Sequence, residues 1–143
     1  MKGPLFYAKI LLFGEYGIIK DSKGLAIPYN TYRGALKSTL DLSGKSKESN
    51  QKLQSFYAYL ASLETSLVSF NLNNFKKDLD NGMYFDSSIP QGYGVGSSGA
   101  LVASVYDKYA TDKITVLENL NSQVRSCLQS YLQSFQNFMK QEP

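Results

Sequence analysis

The sequence predicts a mixed α/β (α+β) fold, and three observations carry the prediction. Short apolar runs bounded by turn residues open the chain, apolar residues at helical spacing fill its middle, and an alternating segment leads through a glycine cluster into a second helical run. With 143 residues, 43% hydrophobic and 19% charged, the chain has the composition of one globular domain and is long enough to bury a core.

Phe6 to Phe13 is an apolar run ending at Gly14, which predicts a buried strand and a turn. Ile18-Ile19 and Leu25-Ala-Ile27 are two further strand pieces, separated by the turn-rich Lys20-Asp-Ser-Lys-Gly24. Pro28 is expected to end the second piece or to place it at a sheet edge. Residues 41–50 read as a polar loop, with Asn50 as the N-cap of a helix carrying Leu53, Phe56, Tyr57, Leu60 and Leu63 on one face. A weaker helical pattern runs from Asn74 to Leu79 and stops at Asn81-Gly82, a C-cap pair. From Met83 to Ile89, residues Met83, Phe85, Ser87 and Ile89 alternate with Tyr84, Asp86 and Ser88, as in a half-buried strand. Ser97 to Ala110 then places Leu101, Val102, Val105, Tyr106 and Tyr109 on one helical stripe. From Asn119 onward the chain is rich in Ser and Gln, and Leu128, Leu132, Phe135, Phe138 and Met139 are spaced as an amphipathic helix. The expected division is therefore an N-terminal unit over residues 1–118 and a helical tail over residues 119–143.

Charge and composition narrow the chemistry. Net charge is +3, with scattered lysines, so no nucleic-acid or membrane footprint is expected. Cys127 is the sole cysteine, which rules out an intrachain disulfide and fits a reducing compartment. There is no histidine, so the commonest general base and the commonest metal ligand are both missing. Lys9 interrupts the N-terminal apolar run and no small-residue cleavage site follows, unlike a signal peptide. With no stretch long enough to span a membrane, a cytoplasmic location is expected.

The segment Ile89 to Ala100 holds four glycines and two serines in twelve residues. A linker does not usually sit between a strand and a helix with so few residues to spare. A dinucleotide fingerprint matches Gly94-Val-Gly96-Ser-Ser-Gly99 literally, with Glu118 roughly 20 residues on. That fold needs a hydrophobic strand running into the first glycine, whereas Pro90-Gln-Gly-Tyr93 precedes it here. The remaining reading is a phosphate cradle: glycines turn backbone N–H groups toward an anion, and the next helix presents its positive end. Ser97 and Ser98 add hydroxyls there, but the loop has no lysine, so further positive charge must come from elsewhere.

Pro90-Gln-Gly-Tyr-Gly94-Val95-Gly96-Ser97-Ser98-Gly99-Ala100 resembles the signature Pro-x-x-x-Gly-(Leu/Val)-Gly-Ser-Ser of the galactokinase, homoserine kinase, mevalonate kinase and phosphomevalonate kinase (GHMP) superfamily. A second segment agrees: Lys9-Ile-Leu-Leu-Phe-Gly14-Glu15-Tyr16 is similar to that family's first strand and turn, most of all in bacterial mevalonate kinases. The resemblance covers roughly residues 5–118. It implies a ribosomal protein S5 domain 2-like fold and an ATP-dependent kinase acting on a small-molecule alcohol, most of all mevalonate, for isoprenoid synthesis. Pro90, Gly92, Gly94, Val95, Gly96, Ser97 and Ser98 would wrap the ATP phosphates, and Ser98 would be a Mg²⁺ ligand. Lys9 would be the catalytic lysine near the transferred phosphate. Glu15 and Tyr16 would line the substrate side, although many relatives carry His at the Tyr16 position.

The chain departs from the family after Glu118. The family's later metal-binding glutamate, its Ser-Gly-x-Asp segment with the expected base and its C-terminal glycine motif have no counterpart there. A truncated form is therefore expected, with weak ATP binding, little kinase activity and some self-association through uncovered core surface. The alternatives are another GHMP kinase, for phosphomevalonate or a sugar, and a non-catalytic interaction module that keeps the fold.

Overall fold

The computed structural model describes residues 3–13, 25–63 and 69–113. They form a mixed α+β fold in the order β1 (Phe6–Phe13), β2 (Leu25–Ser38), α1 (Gly44–Ser62), α2 (Leu72–Asp80), β3 (Met83–Ser87) and α3 (Ser97–Tyr109). The strands make one antiparallel sheet in the order β1-β2-β3. The expected piece at Ile18-Ile19, Glu15, Tyr16 and the tail over 119–143 lie outside the described residues.

β2 is much longer than the short piece expected at Leu25–Ile27: it passes through Pro28 and continues to Ser38. The register shows why proline is tolerated. Pro28 lies opposite Lys9, whose N–H turns away from β2 to donate to the Val95 carbonyl. In such a pair both residues direct their backbone groups outward. Pro28 therefore faces the free side of β2, because β3 pairs only with Gly34–Ser38. This half of the hairpin is rich in exposed apolar side chains, among them Leu12, Phe13, Leu25 and Ile27.

α1 corrects a second expectation. The helix begins at Gly44 after Ser43, not at Asn50, and the polar residues read as a loop are its first two turns. The Ser46 hydroxyl accepts from the Ser43 N–H at 3.0 Å, which serves the helix start. Those turns face solvent and so carry no apolar periodicity. Asn50 is instead buried. Its Nδ2 donates to the carbonyls of Leu79 and Met83, at 3.1 and 2.6 Å, and its Oδ1 accepts from Gln54 at 2.8 Å. One side chain thus ties α1 to the end of α2 and the start of β3. The Ser49 hydroxyl extends the tie by pairing with both the N–H and the carbonyl of Phe85.

β1, expected to be a buried strand, is mostly half-buried or exposed, with only Ala8 of its residues buried, because only its start packs against the core; α2, β3 and α3 follow the expected pattern. α2 is capped at its start by the Asn71 side chain and ends at Asn81-Gly82. Gly82 has φ of 79°, and a Cβ there would stand 1.9 Å from the Thr39 carbonyl oxygen, so only glycine fits. In the β3 segment Met83, Phe85 and Ile89 are buried, while Ser87, grouped with them by alternation, is exposed because the strand ends there. Leu53, Phe56 and Leu60 of α1, Phe75 and Leu79 of α2, and Leu101, Val105 and Tyr109 of α3 share one core cluster with these residues and with Ala8 of β1. Phe75 and Tyr109 stack at 4.7 Å between ring centroids. Among the described residues no helix is long and apolar enough to cross a membrane.

Candidate functional site

The segment between β3 and α3 is held at both ends. At its start Ile89 is buried, and the Ser88 N–H donates to the Arg33 carbonyl of β2 at 3.0 Å. At its end the Ala100 N–H donates to the Gly96 carbonyl at 3.0 Å, which opens α3. In between, Gly92, Gly94 and Gly96 have φ of 81°, 69° and 86°. Every second residue is thus left-handed, a backbone course that side-chain-bearing residues resist. Tyr93, between two of these glycines, is 81% exposed.

Lys9 meets this loop from β1. Besides the 2.9 Å bond from its N–H to Val95, its side-chain stem lies across Gly96, where a Cβ would stand 2.8 Å from Lys9 Cγ. Gly96 is therefore constrained twice, by its dihedral and by the lysine. The Lys9 side chain is exposed, and it has no carboxylate partner among the described residues. A shallow pocket of about 350 Å³ opens beside it, lined by Leu5, Tyr7, Lys9, Gly96, Gly99 and Ala103 among others.

Gly96 is the N-cap of α3 and, as a glycine, has no side chain with which to cap the helix. The first-turn N–H groups lie at the positive end of a thirteen-residue helix. Ser97 and Ser98 sit in that turn, partly buried. The structure brings Lys9 to Val95 and Gly96, with Ser97 and Ser98 next in the chain, Gly92 and Gly94 before them and Pro90 leading into the loop. Glu15 and Tyr16 are not among the described residues.

No group of three or more His, Cys, Asp or Glu side chains gathers as a metal site among the described residues. Mg²⁺ commonly keeps several waters and binds through few protein ligands plus substrate phosphates.

One neighbour has no signal in the sequence pattern. Lys52 of α1 donates from Nζ to the Gln91 side-chain oxygen at 3.3 Å, near the start of the loop. Away from the loop, a second shallow pocket lies over Asp78, Lys108 and Tyr109. There the Asp78 carboxylate accepts from Tyr109 at 2.6 Å and from Lys108 at 2.8 Å. Burial pushes the Asp78 carboxyl up, but the Lys108 ammonium and the Tyr109 hydroxyl outweigh it and hold the group below its ordinary value. Burial, and then the bond to Asp78, push the Tyr109 hydroxyl well above its ordinary value. This cluster holds α3 to α2.

The chain matches no family model, no curated protein and no solved structure in the three comparisons made.

Proposed function

We propose that this chain carries the phosphate-binding part of an ATP-dependent small-molecule kinase of the GHMP type, with a ribosomal protein S5 domain 2-like fold. The observation that carries the reading is the seating of Lys9 across Gly96. Two segments far apart in sequence, each with its own resemblance to that superfamily, meet at one loop. The arrangement has the parts that phosphoryl transfer needs, which are positioning and charge neutralisation more than a covalent nucleophile. The left-handed glycines and the open N-terminus of α3 offer backbone N–H groups to phosphate oxygens. Lys9 supplies the cation that the loop lacks, and its ammonium would stabilise charge at the transferred group. Ser98 would hold Mg²⁺ together with the phosphates. Bound ATP would supply the phosphoryl group, and the acceptor of this reading is an alcohol such as mevalonate.

The test is calorimetric titration of the 143-residue chain with Mg²⁺-ATP, alongside Gly96→Val and Ser98→Ala. Saturable binding that both substitutions weaken supports the reading. Binding that neither changes, or no binding at all, overturns it. A coupled assay of the same chain with mevalonate should show little or no ADP release, and normal turnover would overturn the expectation of a truncated, weakly active form.

A further inference from the structure

We infer that the outer half of the β1–β2 hairpin is a self-association surface, and that its occupant is a second copy of this chain. The inference is independent of the phosphate-binding reading. The register sets Tyr29, Ile27 and Leu25 of β2 opposite Ala8, Ile10 and Phe13 of β1. Alternation puts the three β2 residues on one side of the sheet, and residues directly opposite them share that side. At Ala8 this side is buried in the core. Beyond Ala8 it comes out of the core: Ile10 is half-buried, while Phe13, Leu25, Ile27 and Tyr29 are 61%, 45%, 41% and 38% exposed.

These side chains form an apolar patch of roughly 400 Å², the size at which a patch marks an interaction site. Across Phe6–Phe13 and Leu25–Tyr32 the only charged residue is Lys9, whose stem lies across Gly96. A charged partner finds no complement on this surface, whereas two copies meet on it without bringing like charges together. A two-fold axis at the Ile10–Ile27 pair sets the Phe13–Leu25 end of one copy against the Tyr29 end of the other, so the patch covers itself. With Leu12 and the adjoining backbone as a rim, the contact buries about 1,000 Å² in total. That is the lower limit for a specific interface, so the dimer is weak and reversible. Pro28 disfavours the other way in which two hairpins could meet. It gives the free edge of β2 no N–H, so backbone pairing across that edge lacks a donor. Copies that meet through the face close as a pair and do not grow into a fibre.

The experiment is sedimentation velocity of the 143-residue chain over a series from about 1 to about 300 µM. The expected result is a reversible monomer–dimer equilibrium with its midpoint in the tens of micromolar. Ile27→Lys and Ile27→Glu place like charges at the axis, and each alone should weaken association about tenfold or more. An equimolar mixture of the two should recover most of the pairing, because opposite charges then meet. Leu25→Lys, at the end of the patch, should also weaken it. Leu40→Lys, at a fully exposed apolar residue between β2 and α1, should leave it unchanged. Circular dichroism of each variant shows that the fold is kept. A chain that stays monomeric throughout the series overturns the inference, and so does an equal loss for Leu40→Lys. A mixture that fails to pair overturns the two-fold packing. If Ile27→Lys lowers the unfolding free energy of a monomeric chain, the face is covered from within the chain, and the second copy is overturned as its occupant.

Discussion

The Lys9 N–H donates to the Val95 carbonyl at 2.9 Å, and the Lys9 stem then covers Gly96, the next residue of the loop. The backbone bond fixes where the loop meets β1, and the stem fixes how closely. An ammonium carried on that stem is thus placed at the start of α3 by the fold itself. Its position does not depend on a flexible loop.

Substitution of Gly96 should therefore damage the site more than substitution of Gly92. Both residues have φ above 80°, so alanine at either should cost about 1–2 kcal/mol in unfolding free energy. Around Gly92 a Cβ meets nothing within 4 Å, whereas at Gly96 it meets Lys9 Cγ at 2.8 Å. Chemical denaturation should show comparable backbone costs with a further loss for Gly96→Ala. Nucleotide titration should show the larger affinity loss for Gly96→Ala, because Lys9 must move. Equal affinities for the two variants would mean that the Lys9–Gly96 contact does not shape the site.

Asn50→Ala should destabilise the fold by about 2 kcal/mol, measured by urea unfolding. The substitution leaves the Leu79 and Met83 carbonyls without their side-chain donor in a buried setting. An N-cap, which the sequence pattern made Asn50, would also lose about 1 kcal/mol with alanine but would tolerate aspartate. Asn50→Asp therefore separates the two placements, because in the buried site it removes the amide that donates to Leu79 and Met83.

What the sequence made legible was the part of the chain where burial is periodic. α2, β3 and α3 have apolar residues at regular spacing and a clear stop at Asn81-Gly82, and the structure follows them closely. The continuation of β2 past Ile27 was missed because Pro28 reads as a strand end and Leu25 to Thr31 is exposed throughout, so there is no in–out alternation to carry the strand onward. The first turns of α1 were missed for a related reason: a helix end facing solvent looks like a polar loop unless its cap is recognised. Lys9 and the loop were each legible as separate segments, and only the long-range pairing through Val95 brings them together. Lys52 carried no signal at all. A lysine on a mostly polar helix becomes notable only when the fold brings a loop beside it.

Tyr109→Phe should cost about 1 kcal/mol by urea unfolding, since it deletes one hydrogen bond and keeps the ring. The hydroxyl donates to Asp78 at 2.6 Å and lies 3.0 Å from the Met83 sulfur, while the ring stacks on Phe75. Tyr109→Ala should cost several-fold more, because the buried ring is lost as well. A Phe variant as unstable as the Ala variant would show that the hydroxyl, not the ring, holds α3 to α2.

Asp78 gives the fold a defined acid limb. Its folded-state carboxyl is held below its ordinary value of 3.8 by Lys108 and Tyr109, against the opposing effect of burial. Over the interval between the two values the unfolded chain binds more protons than the folded one, so stability rises with pH there. The contribution is fully present above about pH 5 and is lost as pH falls through the folded-state value, below 3.8. Asp78→Asn removes the group that titrates. The stability difference between the unsubstituted chain and Asp78→Asn, followed by urea unfolding from pH 6 down to about pH 2.5, should therefore be constant at first and shrink in the acid range. A difference that stays constant to the lowest pH, or grows, would show that the Lys108 and Tyr109 contacts do not stabilise the carboxylate in the folded chain.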